Sequence, residues 1–221
     1  MKGILLTKED IKFPTIAFKG YKTNRVYLAD EITNLNISIL GDHNLIWIEE
    51  NVKIQGKLNI SIKGDHNTVI IKKETFIHRN LNLLILPGGL GTLANNCKII
   101  VREKNFFNGD VQLFCGEENT SISINEECLF ANNIKLITTD NHSIFDITTK
   151  QRINNAGNIS IGKHCWICDD VTILNHSFIG NNCVVGTKSL VTSFAKSTPP
   201  PRKLHYSWNT SKNCKKRHIM G

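Results

Sequence analysis

Thr139-Asp140-Asn141-His142 opens a polar stretch that runs to residue 158 and contains the residue types needed for proton transfer. A histidine suits removal of a proton from a hydroxyl, and a neighbouring carboxylate can fix its tautomer and stabilise the imidazolium. Asp140 and Asp146 both lie close enough in sequence to His142 to do this, and spacing does not choose between them. Other histidines are weaker candidates. His43 and His66 each sit in a Gly-Asp-His-Asn turn, one per repeat and with no further ligand in phase, so they read as structural or solvated. His164 and His176 take middle positions of six-residue units and face outward. Cys165 and Cys168 form Cys-x-x-Cys without a second pair, so no metal is expected. Pro87-Gly88-Gly89 has neither Gly-Lys-Ser nor Gly-Lys-Thr after it and reads as a turn, not a phosphate loop.

The elements that must position His142 follow from a period of six. Positions 161, 167, 173, 179, 185 and 191 are all Ile or Val. Cys165, Val171, Ser177, Cys183 and Ser189, each four places after one of these, are small or β-branched. A strand repeats every two residues and a helix every three or four, so this spacing fits neither alone. It fits an all-β, triangular parallel β-helix, in which a unit of six makes one side and one corner and three units close a coil. The aliphatic residues stack inside, and the small ones fill the inner corners. Gly162, Gly180, Gly186, Asp169 and Asn181-Asn182 supply turn residues. Ile124, Phe130 and Leu136 continue the phase upstream, with Cys128 and Ile134 at the small positions.

Further upstream, Asn36 to Ile48 is echoed by Asn59 to Ile71. The unit is strand, Gly-Asp-His-Asn turn, strand, and its 23-residue spacing reads as β-helix coils with corner insertions. The expected organisation is an N-terminal cap over residues 1–33, a β-helix domain over 34–196 with a projecting loop at 139–158, and an irregular basic tail over 197–221. A polar excursion inside a regular solenoid must project from it, and such loops are where function sits. With 221 residues and 40% hydrophobic content the chain can bury one sizeable core. The apolar run at its start is too short for a signal peptide and no long apolar span follows, so the expectation is cytoplasmic, without stable membrane insertion. Seven cysteines, with Cys165 and Cys183 at inner corners, read as reduced fillers, not a disulfide framework.

Thr139-Asp140-x-His142, Arg152-Ile153-Asn154, Ile159-x-Ile161-Gly162-x-x-x-Trp166 and Val171-Thr172-Ile173-Leu174 resemble the left-handed β-helix acyltransferases. Within them the likeness is to the bacterial capsule and polysialic acid O-acetyltransferases. It is specific over about residues 120 to 196 and architectural before that. The resemblance implies a left-handed coil and a homotrimer with acetyl-CoA as co-substrate in the groove between neighbouring β-helices, so that the active sites lie between subunits. It implies that His142 is the catalytic histidine; Asp140 is the partner expected for it. Trp166 would line the acetyl-CoA groove, and Gly186, Thr187 and Lys188 would contact the pantetheine arm and phosphates. Asp146 and Arg152 are expected on the acceptor side. The implied activity is O-acetylation of a bacterial surface glycan, with sialic acid as the leading acceptor. Alternatives are N-acetylation of an amino sugar and a non-catalytic β-helix scaffold.

The tail departs from the family. Residues 202–221 hold six of the 27 basic residues and no acidic one, which leaves the rest of the chain close to neutral within a total of +8. A nucleic-acid tail is one reading of such charge. We read it otherwise, and expect no nucleic-acid partner. Shifted by one base with permitted codons, the segment from Arg202 can be rewritten as Ala-Asn-Cys-Ile-Ile-Pro-Gly-Ile-Pro-Ala-Lys-Ile-Val-Lys-Lys-Asp-Ile-Leu-Trp, which matches the family ending. Pro199 to Pro201 can be encoded by an uninterrupted cytosine run, where replication slips. The expectation is an out-of-frame, disordered ending of a phase-variable gene.

Overall fold

The computed structural model describes residues 4–5, 16–19, 23–29, 32–89 and 92–192, and the tail expected over 197–221 lies outside them. The period of six is borne out as three sheets that form the sides of a prism, parallel throughout the described residues except where Ile4–Leu5 pairs antiparallel with Arg25–Leu28. A long face carries strands such as Lys57–Lys63, Asn80–Ile85 and Ile134–Ile137. The chain then turns a corner onto a middle face, with Thr68–Ile71, Ser121–Ile124 and Ile159–Ile161. A second corner leads to a narrow face of two-residue strands, among them Phe106–Phe107, Trp166–Ile167 and Val184–Val185. A third corner returns it to the long face.

Ile161, Ile167, Ile173, Ile179, Val185 and Val191 are all buried, as are Cys165, Val171, Ser177, Cys183 and Ser189 at the inner corners. Inward residues alternate with outward ones along each strand, so stacking coils removes one apolar row per face from water. Phe107 and Phe130 are the largest fully buried side chains among the described residues, stacked with ring centroids 4.8 Å apart. The outer corner positions Asp170, His176, Asn182 and Lys188 all have φ between 56° and 60°. That left-handed turn is what bends the chain onto the next face.

Coil length varies. Leu35 pairs with Leu58, and Leu58 with Leu81, at steps of 23 residues, while Thr172 pairs with Leu190 at the minimal 18. The extra residues lengthen strands on the long and middle faces. Two coils are longer still, Leu81 to Val111 and Lys135 to Thr172, and both insertions leave the prism at the corner between the long and middle faces. The second is the loop 139–158. Among these coils the 23-residue echo aligns as the sequence implies: Asn36, Asn59 and Asn82 form an outer amide ladder with bonds of 2.8 and 2.9 Å, and His43 stacks on His66 at 4.7 Å.

Parallel pairing already includes Ile16–Lys19 and Arg25–Leu28, inside the segment expected to be a cap. Cys97, Cys115, Cys128, Cys165 and Cys183 are buried free thiols and Cys168 is a half-buried one. Cys128 and Cys165 meet one coil apart in the core, and the hydrogen bond with Cys128 pushes the Cys165 thiol up to about 12. No helix among the described residues is long and apolar enough to cross a membrane.

Candidate functional site

The loop leaves the end of strand Ile134–Ile137 on the long face and returns at Ile159–Ile161 on the middle face. Its two arms are tied into a short hairpin. Phe145 and Arg152 form an antiparallel bridge, and the Ile153 amide donates to the Ile144 carbonyl at 2.9 Å. The tip turn is closed by Asp146, whose Oδ1 accepts the Thr148 and Thr149 amides at 2.9 and 2.6 Å and the Thr149 hydroxyl at 3.0 Å. These bonds, the Thr149 amide's foremost, hold the Asp146 carboxyl below its ordinary range.

His142 lies exposed on the outgoing arm. Among the described residues no side chain holds its imidazole, while its carbonyl accepts the Asn154 amide at 2.6 Å. The same Asn154 Nδ2 donates to Asp140 Oδ2 at 3.1 Å, and Asn175 Nδ2 donates to Asp140 Oδ1 at 3.1 Å. Asp140 therefore has both carboxylate oxygens fixed by amides next to the histidine backbone. Each oxygen keeps a second lone pair for a further donor. The two aspartates that spacing left open are thus engaged differently, Asp140 beside His142 and Asp146 in the tip.

Arg152, expected on the acceptor side, turns inward to Glu117 on the coil below. Nη1 donates to Oε2 at 2.5 Å and Nη2 to Oε1 at 2.8 Å, and the Thr139 hydroxyl donates to the same carboxylate. The Arg152 bonds, helped by Thr139, hold the Glu117 carboxyl below its ordinary range. The other corner insertion supports the outgoing arm: Pro87-Gly88-Gly89 abuts Thr139 and Asn141, so closely that a Cβ on Gly89 would lie 2.2 Å from the Asn141 carbonyl oxygen.

Trp166 stands outward on the narrow face, 43% exposed, and pairs in register with Val184 of the next coil. Gly186, Thr187 and Lys188 follow Val184–Val185 at the exposed corner between the narrow and long faces. The predicted residues therefore fall into two groups. Asp140, His142, Asp146 and Arg152 gather at the corner between the long and middle faces; Trp166 and Gly186 to Lys188 lie on and beside the face opposite it, across the core. Sequence reasoning also missed Glu117, Asn175 and the contact of the Pro-Gly-Gly turn. Each acts from another coil, where only the coil lengths would have brought them into phase.

Four exposed apolar side chains decorate the loop: Ile144, Phe145, Ile147 and Ile153, 54 to 85% exposed. A cleft of about 530 Å³ lies under the returning arm, lined by Glu118, Asn158, His176 and Phe178 among others.

No family model matches the chain. Over 84 residues it is 31% identical to a polysialic acid O-acetyltransferase of Neisseria meningitidis, a stretch covering 38% of this chain and 38% of that protein. Over 57 residues it is 35% identical to a polysialic acid O-acetyltransferase of Escherichia coli O1:K1 / APEC, covering 26% of this chain and 19% of that protein. The matches thus span well under two thirds of these relatives' own lengths. Among solved structures, the polySia specific acetyltransferase NeuO superposes with a TM-score of 0.68 at 25% identity, over 80% of this chain and 71% of that one. The polysialic acid O-acetyltransferase OatWY superposes with a TM-score of 0.49 at 21% identity, over 83% and 94%. The resemblance to left-handed β-helix acyltransferases and the parallel β-helix fold are borne out.

Proposed function

We propose that the chain is an acetyltransferase that moves the acetyl group of acetyl-CoA to a hydroxyl of a sialic acid polymer on a bacterial surface glycan. The observation that carries this reading is the uncommitted imidazole of His142, on a loop projecting from a β-helix that superposes on a polySia specific acetyltransferase over 80% of its length.

In this reading His142 removes the proton of the acceptor hydroxyl as its oxygen attacks the thioester carbonyl. The tetrahedral intermediate collapses with loss of CoA thiolate, to which the imidazolium delivers the proton taken from the hydroxyl. Asp140, fixed by Asn154 and Asn175, stabilises the transient cation. Trp166 packs along the pantetheine, and Lys188 and the exposed backbone at Gly186 and Thr187 meet the phosphates of acetyl-CoA. Asp146 and Arg152 shape the loop that the acceptor meets. No resident cofactor takes part in these steps. Synthesis from acetyl-CoA places the reaction in the cytoplasm.

His142 and Trp166 lie on opposite sides of one prism, which favours a site shared between copies. A homotrimer provides one. The loop of one subunit reaches the narrow face of its neighbour, where its apolar tip meets an outward row that includes Phe76, Phe106, Leu129 and Trp166. Exposed apolar loops and rows of this kind mark contact surfaces.

The test is release of free CoA thiol from acetyl-CoA with sialic acid oligomers as acceptor, for the chain and for His142→Ala. Release that needs both acceptor and His142, with a base-labile acetyl on the product, is expected. Silence of the chain across sialylated and neutral glycans would overturn the reading. Sequencing the gene across the codons of Pro199 to Pro201 tests the out-of-frame reading of the tail.

A further inference from the structure

Between strands Thr172–Leu174 and Phe178–Ile179 the chain makes a corner at Asn175 and His176, one coil beyond the loop. Both side chains leave their own coil and reach the loop base. Asn175 Nδ2 donates to Asp140 on the outgoing arm at 3.1 Å. His176 Nε2 lies 3.0 Å from the Asn155 carbonyl on the returning arm, which can only accept, so Nε2 carries the proton and donates. Gly157 lies so close beneath the imidazole that a Cβ there would come within 2.3 Å of Cε1 and Nδ1. His176 itself is in the left-handed region, φ 58°, as are the other outer corner residues.

We propose that the Asn175–His176 corner is a clasp that grips both arms of the loop and sets the position of His142. The two residues are positioning residues: neither reaches the reacting atoms, and both act through the arms they hold. Asn175 acts on Asp140 directly. His176 acts through Asn155, next to Asn154, the amide that bonds the His142 carbonyl. The hairpin above the clasp is stitched to itself and, through Arg152, to Glu117 on the coil below, so its orientation depends on that pair and on the clasp together. The kinetic part of this proposal rests on the acetyl transfer proposed above; the structural part does not.

The experiment uses the full chain and the variants Asn175→Ala, His176→Ala and Gly157→Ala, the last forcing the imidazole off its seat without removing it. Hydrogen exchange at the Ile144, Asp146, Lys150 and Ile153 amides is expected to quicken about tenfold in each variant, with exchange in the strands unchanged. In steady state, kcat is expected to fall about tenfold while KM for acetyl-CoA stays within about twofold, as misplacement of a base demands. Gly157→Ala should add little in the His176→Ala background, and Asn175→Ala little in the Asp140→Ala background, since each pair acts through one contact. Unchanged loop exchange in all three variants would overturn the clasp whether or not the chain is active. Quickened exchange with unchanged kcat would overturn the positioning role. Quickened exchange in a chain with no transferase activity would uphold the clasp and remove the acetyl-transfer reading instead.

Discussion

Arg152 reaches back 35 residues to hold Glu117 through two hydrogen bonds of 2.5 and 2.8 Å, fastening the loop to the coil below it. The side chains are 22% and 12% exposed, so this pair is less screened than a surface ion pair. Arg152 keeps the Glu117 carboxyl below its ordinary range when folded. The contribution is therefore complete above the ordinary glutamate pKa of about 4.3 and is lost as pH falls through the lower folded value. At pH 7, Glu117→Gln is expected to speed exchange of the Ile144 and Ile153 amides about tenfold. After correction for intrinsic rates, the gap from wild type should close as the solution is taken below that range. A gap that persists in acid would mean that the ionised pair is not what holds the loop.

Asn154 joins the two residues assigned to proton transfer. Its Nδ2 donates to Asp140 and to the His142 carbonyl, while its Oδ1 accepts the Ile144 amide at 2.6 Å. Asn154→Asp replaces the donor with an oxygen facing a carboxylate and a carbonyl. Acceptor-dependent kcat should drop about a hundredfold with little change in KM for acetyl-CoA. Two-substrate kinetics on the variant provide the check.

Gly89 meets the Asn141 carbonyl with no room for a side chain. Because the added Cβ would meet backbone and not a yielding side chain, Gly89→Ala must push the outgoing arm away and is expected to lower kcat about tenfold. Gly186→Ala is the stability comparison, since a Cβ there meets only Ser189 Oγ, at 3.9 Å. Its thermal midpoint should match that of the parent, and differential scanning calorimetry of both variants checks this.

The rows that build the core were legible because a six-residue period leaves the inward positions no alternative face, and the loop was legible as the place where that period fails. Spacing could not say which aspartate serves His142. What separates the two is local turn chemistry: Asp146 precedes Thr148 and Thr149, whose amides it caps, and Asp-x-Thr-Thr is itself a recognisable signal for such a turn. Glu117 and Asn175 stayed hidden because neighbours in a solenoid are one coil apart, and coil length here ranges from 18 to 37 residues. Nearness in sequence also misled in one respect. Trp166 follows His142 closely along the chain, yet the intervening turn of prism carries it to the far side.

Phe130 and Trp166 separate stability from function on one narrow strand pair. Phe130 is fully buried against Phe107, so Phe130→Ala is expected to destabilise the chain by about 3–5 kcal/mol in urea unfolding. Trp166→Ala, at an outward position, should cost about 1 kcal/mol or less while weakening acetyl-CoA binding. Titration calorimetry with acetyl-CoA measures the second effect.

The opposed placement of His142 and Trp166 makes a prediction that no single-copy site can imitate. If a site takes its histidine from one subunit and its tryptophan from the next, His142→Ala and Trp166→Ala chains are each nearly inactive alone when acetyl-CoA is kept too dilute to saturate the Trp166→Ala chain. Unfolding and refolding them together places an intact His142 beside an intact Trp166 in every mixed trimer, at one of its three interfaces. Thiol release should then recover to about a quarter of the parent level for an equal mixture assembled at random. A site contained in one chain would give no recovery, since every chain in the mixture carries one of the two lesions. Mixing without refolding should also give none if the trimer exchanges slowly, which distinguishes assembly from a soluble contaminant. Recovery would establish that the loop and the narrow face meet between copies; its absence, with refolding efficiency shown by the parent, would return the site to a single subunit and leave Trp166 outside it.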